Sequence, residues 1–231
     1  MTPVRAALFD LDGTLVDSEI HTDTAIRVVA ERHGVPSFSL PPSETRGRTW
    51  EYVADVMRAG TGMADGTAAL AEELLVYWTG IAADFAPVPG APEAIREAAL
   101  RLPLGVVSSS PRAVIDSFLG KLGIADCVDQ RARIGGDNVR ASKPDPDGYL
   151  QGARALGVAP ASCLVFEDSQ AGLLAATAAG MRSMFVMCCA ADIPGNSLLA
   201  TAAFTDYRSL PPRFWERVAD GSLDFAGKVY A

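Results

Sequence analysis

Histidine is scarce in this chain: His21 and His33 are the only two among 231 residues. A Ser-His-Asp hydrolase needs an imidazole beside its serine, and neither histidine lies near Ser108, the serine that closes the second apolar run. Cysteine is sparse as well. Cys127, Cys163, Cys188 and Cys189 form no C-x-x-C pair, and no histidine stands at zinc-ligand spacing around them. They read as reduced, mostly buried thiols of a cytoplasmic protein. Basic runs are missing, and the formal net charge is −8, which repels nucleic-acid backbones and anionic membrane surfaces. An anionic substrate is repelled too at long range, so any phosphate site must work through local donors and a cation. No stretch approaches the roughly 18 uninterrupted apolar residues of a membrane helix, and Met1 to Asp10 make no signal peptide. Gly135-Gly136-Asp137 is followed by no G-K-[ST] and reads as a turn. The expectation is a monomeric cytoplasmic protein without nucleic-acid or membrane partners.

What is present is a hydrophobic fraction of 49%, enough for a sizeable core. Val4 to Phe9 is a short apolar run that stops at an acidic, glycine-containing turn, as a buried strand does when it feeds a loop. Leu104 to Val107 followed by Ser108-Ser109-Ser110 repeats the design, as does Cys163 to Phe166 followed by Glu167-Asp168-Ser169; Met184 to Met187 reads as a further strand. Amphipathic helices separate them. Val114, Ile115, Phe118, Leu119 and Leu122 make one stripe that ends at Gly123, and Tyr149, Leu150, Ala153 and Leu156 make another that ends at Gly157. Strands alternating with helices predict an α/β fold, a Rossmann-like parallel sheet with helices on both faces.

From about Asp17 to Ala86 the alternation fails. This segment shows helical patterns only, among them Leu70, Leu74, Trp78, Ile81 and Phe85 on one helix. It ends at the turn-rich stretch Pro87-Val88-Pro89-Gly90-Ala91-Pro92. The organisation expected is a core of residues 1–16 and 87–231 with a small helical domain, 17–86, inserted. The tail after Leu210 carries one short helix around Phe214 to Val218. Asp17, Asp145 and Ser169 read as helix caps, and Trp50, Trp78 and Trp215 as packing residues.

The acids cluster where strands end: Asp10 and Asp12 after the first, Glu167 and Asp168 after a later one. In an open parallel sheet ligands bind just beyond the carboxyl ends of the strands. Carboxylates meeting there repel one another unless a cation sits among them, and hard oxygen ligands favour Mg²⁺. A phosphoryl group needs a nucleophile, charge neutralisation and donors. Asp10 fits the first role, since carboxylates form aspartyl-phosphates. Asp12, two residues on, is close enough to protonate a leaving oxygen and later activate water. Ser108 offers a hydroxyl near a helix start, and Lys143, held before Pro144, offers an ammonium.

Together these residues resemble the haloacid dehalogenase superfamily nearly end to end. The four motifs stand in the family's order as Asp10-Leu11-Asp12-Gly13-Thr14, Ser108 after Val106-Val107, Lys143-Pro144-Asp145-Pro146, and Phe166-Glu167-Asp168-Ser169-Gln170-Ala171-Gly172. The resemblance implies a magnesium-dependent enzyme acting on a small phosphorylated metabolite. It makes Asp10 the nucleophile and a metal ligand. Asp12 becomes the acid/base, with its carbonyl on the metal. Asp168 becomes a direct ligand and Glu167 a second or water-bridged one. Ser108 and Lys143 become phosphoryl binders, helped by the Leu11 backbone and the Ser109 N–H. The inserted helices resemble the family's small cap. The dehalogenase branch lacks a second aspartate, so Asp12 favours phosphoryl transfer.

Within the superfamily the chain is similar to the group of beta-phosphoglucomutases and sugar-phosphate phosphatases. The run Asp12 to Glu19, the segment around Gly47 and the ending near Leu210-Pro211 resemble 6-phosphogluconate phosphatases. Mutases of this group carry a histidine early in the first cap helix and an arginine after the cap glycine. The matching positions here hold Thr22 and Trp50, with His21 one place off; Trp50 is thereby also a candidate substrate contact. Arg46 and Arg48 flank Gly47, either as a guanidinium pair for a substrate carboxylate or second phosphate or as solvated surface arginines. A protein that kept the fold but lost turnover would be expected to lack Asp12 or Lys143, and both are present.

Overall fold

The computed structural model describes residues 2–81, 85–224 and 227–230. Among the described residues seven parallel strands form one sheet: β1 (Ala6–Phe9), β2 (Leu104–Val107), β3 (Arg133–Ile134), β4 (Cys163–Glu167), β5 (Arg182–Val186), β6 (Ala202–Phe204) and β7 (Val229–Tyr230), in the order β3-β2-β1-β4-β5-β6-β7. β1, β2 and β4 are buried at every residue. That explains why they read as continuous apolar runs and not as alternating ones. The order turns back at β1: β2 lies on one side and β4 on the other. Chain crossovers leave in opposite directions from such a switch point, which opens a crevice at the strands' carboxyl ends. Asp10 and Asp12 follow β1, and Glu167 and Asp168 end β4.

Among the described residues ten α-helices accompany the sheet: α1 (Glu19–Arg32), α2 (Pro42–Thr45), α3 (Trp50–Thr61), α4 (Thr67–Ile81), α5 (Ala91–Ala99), α6 (Arg112–Lys121), α7 (Asp147–Leu156), α8 (Gln170–Ala178), α9 (Ile193–Leu199) and α10 (Phe214–Ala219). The first five fall between β1 and β2, the first four of them in the expected insert, and α4 packs on both α1 and α3. The helix expected to reach Phe85 is described to Ile81; residues 82–84 lie outside the described residues. Phe85 nonetheless packs where the stripe predicts, stacked on Phe118 at 5.7 Å and edge-on to Trp78 at 5.0 Å. Trp78 also meets Phe118 at 5.9 Å, so the helical insert is seated on α6 through aromatic contacts of the kind that add about 0.5–1.5 kcal/mol each beyond burial.

The chain leaves and re-enters the sheet layer through two adjacent linkers. The Asp17 N–H donates to the Ala86 carbonyl at 2.9 Å, and the Val88 N–H to the Leu15 carbonyl at 3.0 Å. The turn-rich stretch expected to run to Pro92 ends at Gly90, because Ala91 and Pro92 open α5; proline suits a first helical turn, whose N–H groups lack partners anyway. Asp17 is not a cap: Ser18 occupies that position of α1. Ser169 does cap α8, accepting from the Gly172 N–H, whereas Pro146 holds the cap position of α7 and Asp145, one residue before it, accepts from the Asp147 N–H in a local turn. The short strands β3, β6 and β7 were not predicted.

Candidate active site

Backbone pairing carries the chain beyond the strands and fixes the first functional residues. The Asp10 N–H donates to the Phe166 carbonyl at 2.9 Å and the Ser108 N–H to that of Ile134 at 3.0 Å. Lys143 reaches into the crevice from the turn before α7, and its ammonium finds three acceptors: Asp10 Oδ1 at 2.5 Å, Glu167 Oε1 at 2.5 Å and the Val107 carbonyl at 3.1 Å. A lysine has three N–H donors, so all are used and the side chain has one position. Burial alone would lower the Lys143 ammonium; Asp10 and Glu167 reverse this and hold it above its ordinary value.

Glu167 is fully engaged by the protein. Oε1 accepts from Lys143 and from the Tyr149 hydroxyl at 2.7 Å; Oε2 accepts from the Asp168 N–H, the Ser169 N–H and the Ser169 hydroxyl. Five donors meet a group with about four lone-pair sites. A Cβ at Gly172 would overlap this carboxylate, so the glycine is what lets α8 start against it.

Asp168 differs. Its Oδ1 receives only a long bond from Thr14 Oγ1, 3.5 Å, and its buried Oδ2 has no partner. Oxygens of Asp10, Glu167 and Asp168 lie within 4.8 Å of one another. Burial, then the Glu19 and Glu167 carboxylates, push Asp168 well up against Arg46 and Lys143; burial likewise pushes Asp10 up against Lys143. An orphaned buried carboxylate oxygen in such company is the setting a divalent cation relieves. The residues fit a metal, with Asp10 and Asp168 as the available carboxylates.

The Asp12 side chain points to hydroxyls. It accepts from Ser18 at 2.8 Å, Ser110 at 2.9 Å and Ser108 at 3.2 Å. Burial raises its pKa, and these three hydroxyls and Lys143 oppose the rise. A carboxyl held in place with a raised pKa suits proton donation.

The loop after α2 closes over this site. Arg46 Nη1 donates to the Cys189 carbonyl at 2.6 Å, Arg48 Nη1 to the Lys143 carbonyl at 3.0 Å, and the Ser109 hydroxyl to the Gly47 carbonyl at 2.8 Å. Arg48 also lies over the Tyr52 ring at 4.6 Å. The arginines are therefore not solvated surface residues; they bridge the insert to the strand-end loops. Behind the loop Asp10, Asp12, Thr22, Arg48, Trp50 and Ser109 line a cavity of about 30 Å³. That is room for a water or two.

Of the predicted residues, Asp10, Asp12, Ser108, Lys143, Glu167 and Asp168 converge at the strand ends. Leu11 is buried beneath them and its carbonyl accepts from the Thr14, Leu15 and Val16 N–H groups. Trp50 is both packed, edge-on to Trp78 at 5.9 Å, and cavity-lining. His21 is turned to Phe85, stacked at 4.2 Å. The thiols were misread as mostly buried: only Cys163 is, while Cys188 is exposed, its Sγ 3.2 Å from that of Cys189. These two follow β5, where the chain turns out of the sheet.

Four contributors went unpredicted: Ser18, Ser110, Tyr149 and Glu19. Ser110 belongs to the serine run already noted, and Tyr149 to a stripe whose hydroxyl was ignored. Glu19 closes the Asp12 to Glu19 run already noted, but nothing there marks it as buried, since an acid in a first helical turn is ordinary. It is buried, 5% exposed. Burial outweighs Arg46, whose Nε is 3.5 Å away, and pushes Glu19 up to about 8.

The chain is similar to known proteins. The chain is 36% identical over 193 residues to a validoxylamine A 7'-phosphate phosphatase of Streptomyces hygroscopicus subsp. limoneus, covering 77% of this chain and 83% of that one. It is 28% identical to the 6-phosphogluconate phosphatase of Escherichia coli over 94% of this chain and 96% of the other. A crystal structure of beta-phosphoglucomutase from Clostridium difficile superposes with a TM-score of 0.79 at 22% identity, covering 95% and 98% of the two chains, a likeness of fold. The family model for haloacid dehalogenase-like hydrolases matches residues 4–180, and the chain belongs to that family.

Proposed function

We propose that the protein is a Mg²⁺-dependent phosphatase that hydrolyses the monoester of a small phosphorylated metabolite, a sugar phosphate or a phosphorylated sugar acid. The observation that carries this reading is the pairing of Asp10 with Lys143 beside the orphaned Oδ2 of Asp168. It unites a candidate nucleophile, a fixed cation and an unpartnered carboxylate oxygen at one switch point. Relatives named as phosphatases of fructose 1-phosphate and 6-phosphogluconate support the substrate class. The insert, 17–86, serves as a mobile cap.

Asp10 and Asp168, with the Asp12 carbonyl, would hold the metal, and Glu167 would stand behind it, fixing Lys143 and the start of α8. The ion supplies charge neutralisation for the phosphoryl oxygens. Lys143, the Ser108 hydroxyl, and the Leu11 and Ser109 backbone orient the phosphoryl group. An Asp10 carboxylate oxygen attacks phosphorus as the ester P–O bond breaks, and Asp12 gives its proton to the departing alkoxide. Asp12 then takes a proton from water, whose oxygen attacks the aspartyl-phosphate; the P–O bond to Asp10 breaks and phosphate leaves. Cap closure excludes bulk water during transfer.

A mutase needs a second phosphate to be held. Thr22 and Trp50, at the positions where mutases of this group carry histidine and arginine, face the small cavity, and His21 is stacked away on Phe85. That favours hydrolysis. The test is phosphate release from a panel of sugar phosphates, 6-phosphogluconate and an aryl phosphate, with Mg²⁺ and with chelator. Release that persists undiminished in chelator, or in a folded Asp10→Asn protein, overturns the mechanism. Interconversion of glucose phosphates without release would make it a mutase.

A further inference from the structure

The cavity behind the 46–48 loop holds about 30 Å³, yet a second cavity of about 310 Å³ opens on the other side of that loop. The two share Arg48, and Asp168 lines the larger as Asp10 lines the smaller. The larger cavity thus reaches the acidic cluster from the α8 and α9 side, and its size matches that of small-molecule sites, about 300 Å³ upwards.

Its walls are chemically mixed. Arg46 and Arg48 contribute donors and are already immobilised by the Cys189 and Lys143 carbonyls, so little side-chain freedom remains to be lost on binding. Asn196, which also lines it, is 3% exposed; its Nδ2 donates to the Ala191 carbonyl and its Oδ1 has no partner. Arg48 Nε is likewise buried and unpaired. Buried polar atoms without partners are rare and ask for an explanation. Pro42, Ala171 and Leu174 supply apolar surface between these polar groups. Donors, an acceptor and apolar patches side by side complement a sugar ring, with its alternating hydroxyl and C–H faces. A second phosphate suits the cavity less, because the Asp168 and Asp192 carboxylates are in its wall.

We infer that this cavity is a subsite for a second hydroxylated ring, so that the enzyme acts best on a phosphorylated disaccharide-like substrate larger than a hexose phosphate. The inference rests on the phosphatase reading above. Arg48 and Asn196 are its recognition residues, and Leu174 and Ser43 form its walls from the core and from the insert.

The test compares trehalose 6-phosphate with glucose 6-phosphate, both as substrates with Mg²⁺ and as calorimetric ligands of the Asp10→Asn protein. The wild type is expected to favour the two-ring phosphate at least tenfold in kcat/KM, and the Asp10→Asn protein in affinity. Leu174→Trp and Ser43→Trp fill the cavity from opposite walls at solvent-accessible positions, and each should reduce that ratio to near one, mainly through KM. Equal preference in the wild type, or an equal loss on both substrates in the filled variants, overturns the subsite. Release from 4-nitrophenyl phosphate separates the two readings: if it is intact without two-ring preference, only the subsite fails. If no phosphate is released from any ester, the phosphatase reading fails, and the affinity ratio alone decides the subsite.

Discussion

The strand-end site and the loop that covers it are held in opposite ways. At the strand ends, Lys143 uses every donor and Glu167 every lone pair, all deep in the sheet. The 46–48 loop is held by three hydrogen bonds to backbone carbonyls or from a serine hydroxyl, each worth about 0.5–1.5 kcal/mol net, somewhat more for the charged donors. On the reading proposed above, the chemistry sits in the tightly held region, and access would be governed by contacts weak enough to break. Damage at the first region should abolish turnover or the fold, and damage at the second should alter selectivity and KM.

The largest expected effect is at Asp10. Asp10→Asn should lower turnover by about 10⁴-fold or more, the scale seen when a nucleophile is removed, with the melting temperature retained, since Lys143 keeps Glu167. Unchanged kcat would break the comparison at its strong end. Next comes Glu167→Ala, which leaves the buried Lys143 with one carboxylate and strips Tyr149 and the α8 N-terminus of their acceptor. Denaturant unfolding should show a loss of about 3–5 kcal/mol. A loss below about 1 kcal/mol would mean that Glu167 does not organise the site.

At the loop, Gly47 has φ +68° and a Cβ there would strike Ser169 Oγ. Gly47→Ala should cost about 1–2 kcal/mol against closure, about tenfold in kcat/KM, carried by KM with little change in melting temperature. A fall in kcat alone would place the loop in the chemistry instead.

The last expected effect concerns pH and is confined to the window over which one group titrates. The folded Glu19 pKa, about 8, lies above its ordinary 4.5. The folded protein then keeps a proton that the unfolded chain releases, so this group makes stability fall as pH rises from about 4.5 to about 8, and adds no further slope beyond. In metal-free protein, Glu19→Gln should flatten the melting-temperature profile across that window. Parallel profiles would show that Glu19 titrates normally.

The core of this site was readable because Asp10, Ser108, Glu167 and Asp168 sit at or just after the ends of apolar runs, and a parallel sheet brings all such ends to one edge; Lys143, in the turn before α7, was legible only through its place before Pro144 and the motif they share. The edge strands were not, since β3 and β7 are two residues long and β6 three, too short for any periodicity. Glu19, Arg46 and Arg48 look like surface charges in sequence, and only the docking of the insert on the core buries or bridges them. Tyr149 shows the same limit: its ring belongs to the predicted stripe of α7, while its hydroxyl answers to Glu167, eighteen residues on. Pairings across the fold leave no local trace.

The two linkers that bond to each other at Leu15–Val88 and Asp17–Ala86 have a consequence for how such a protein can change over evolutionary time. To the sheet, the whole excursion between them closes like a single tight turn, whatever its length, since loop closure grows only slowly with chain length. Helices there can be lengthened, reshaped or exchanged with little penalty to the strands that carry the aspartates. One inherited reaction centre can in this way be refitted to new substrates by rewriting a contiguous stretch of gene.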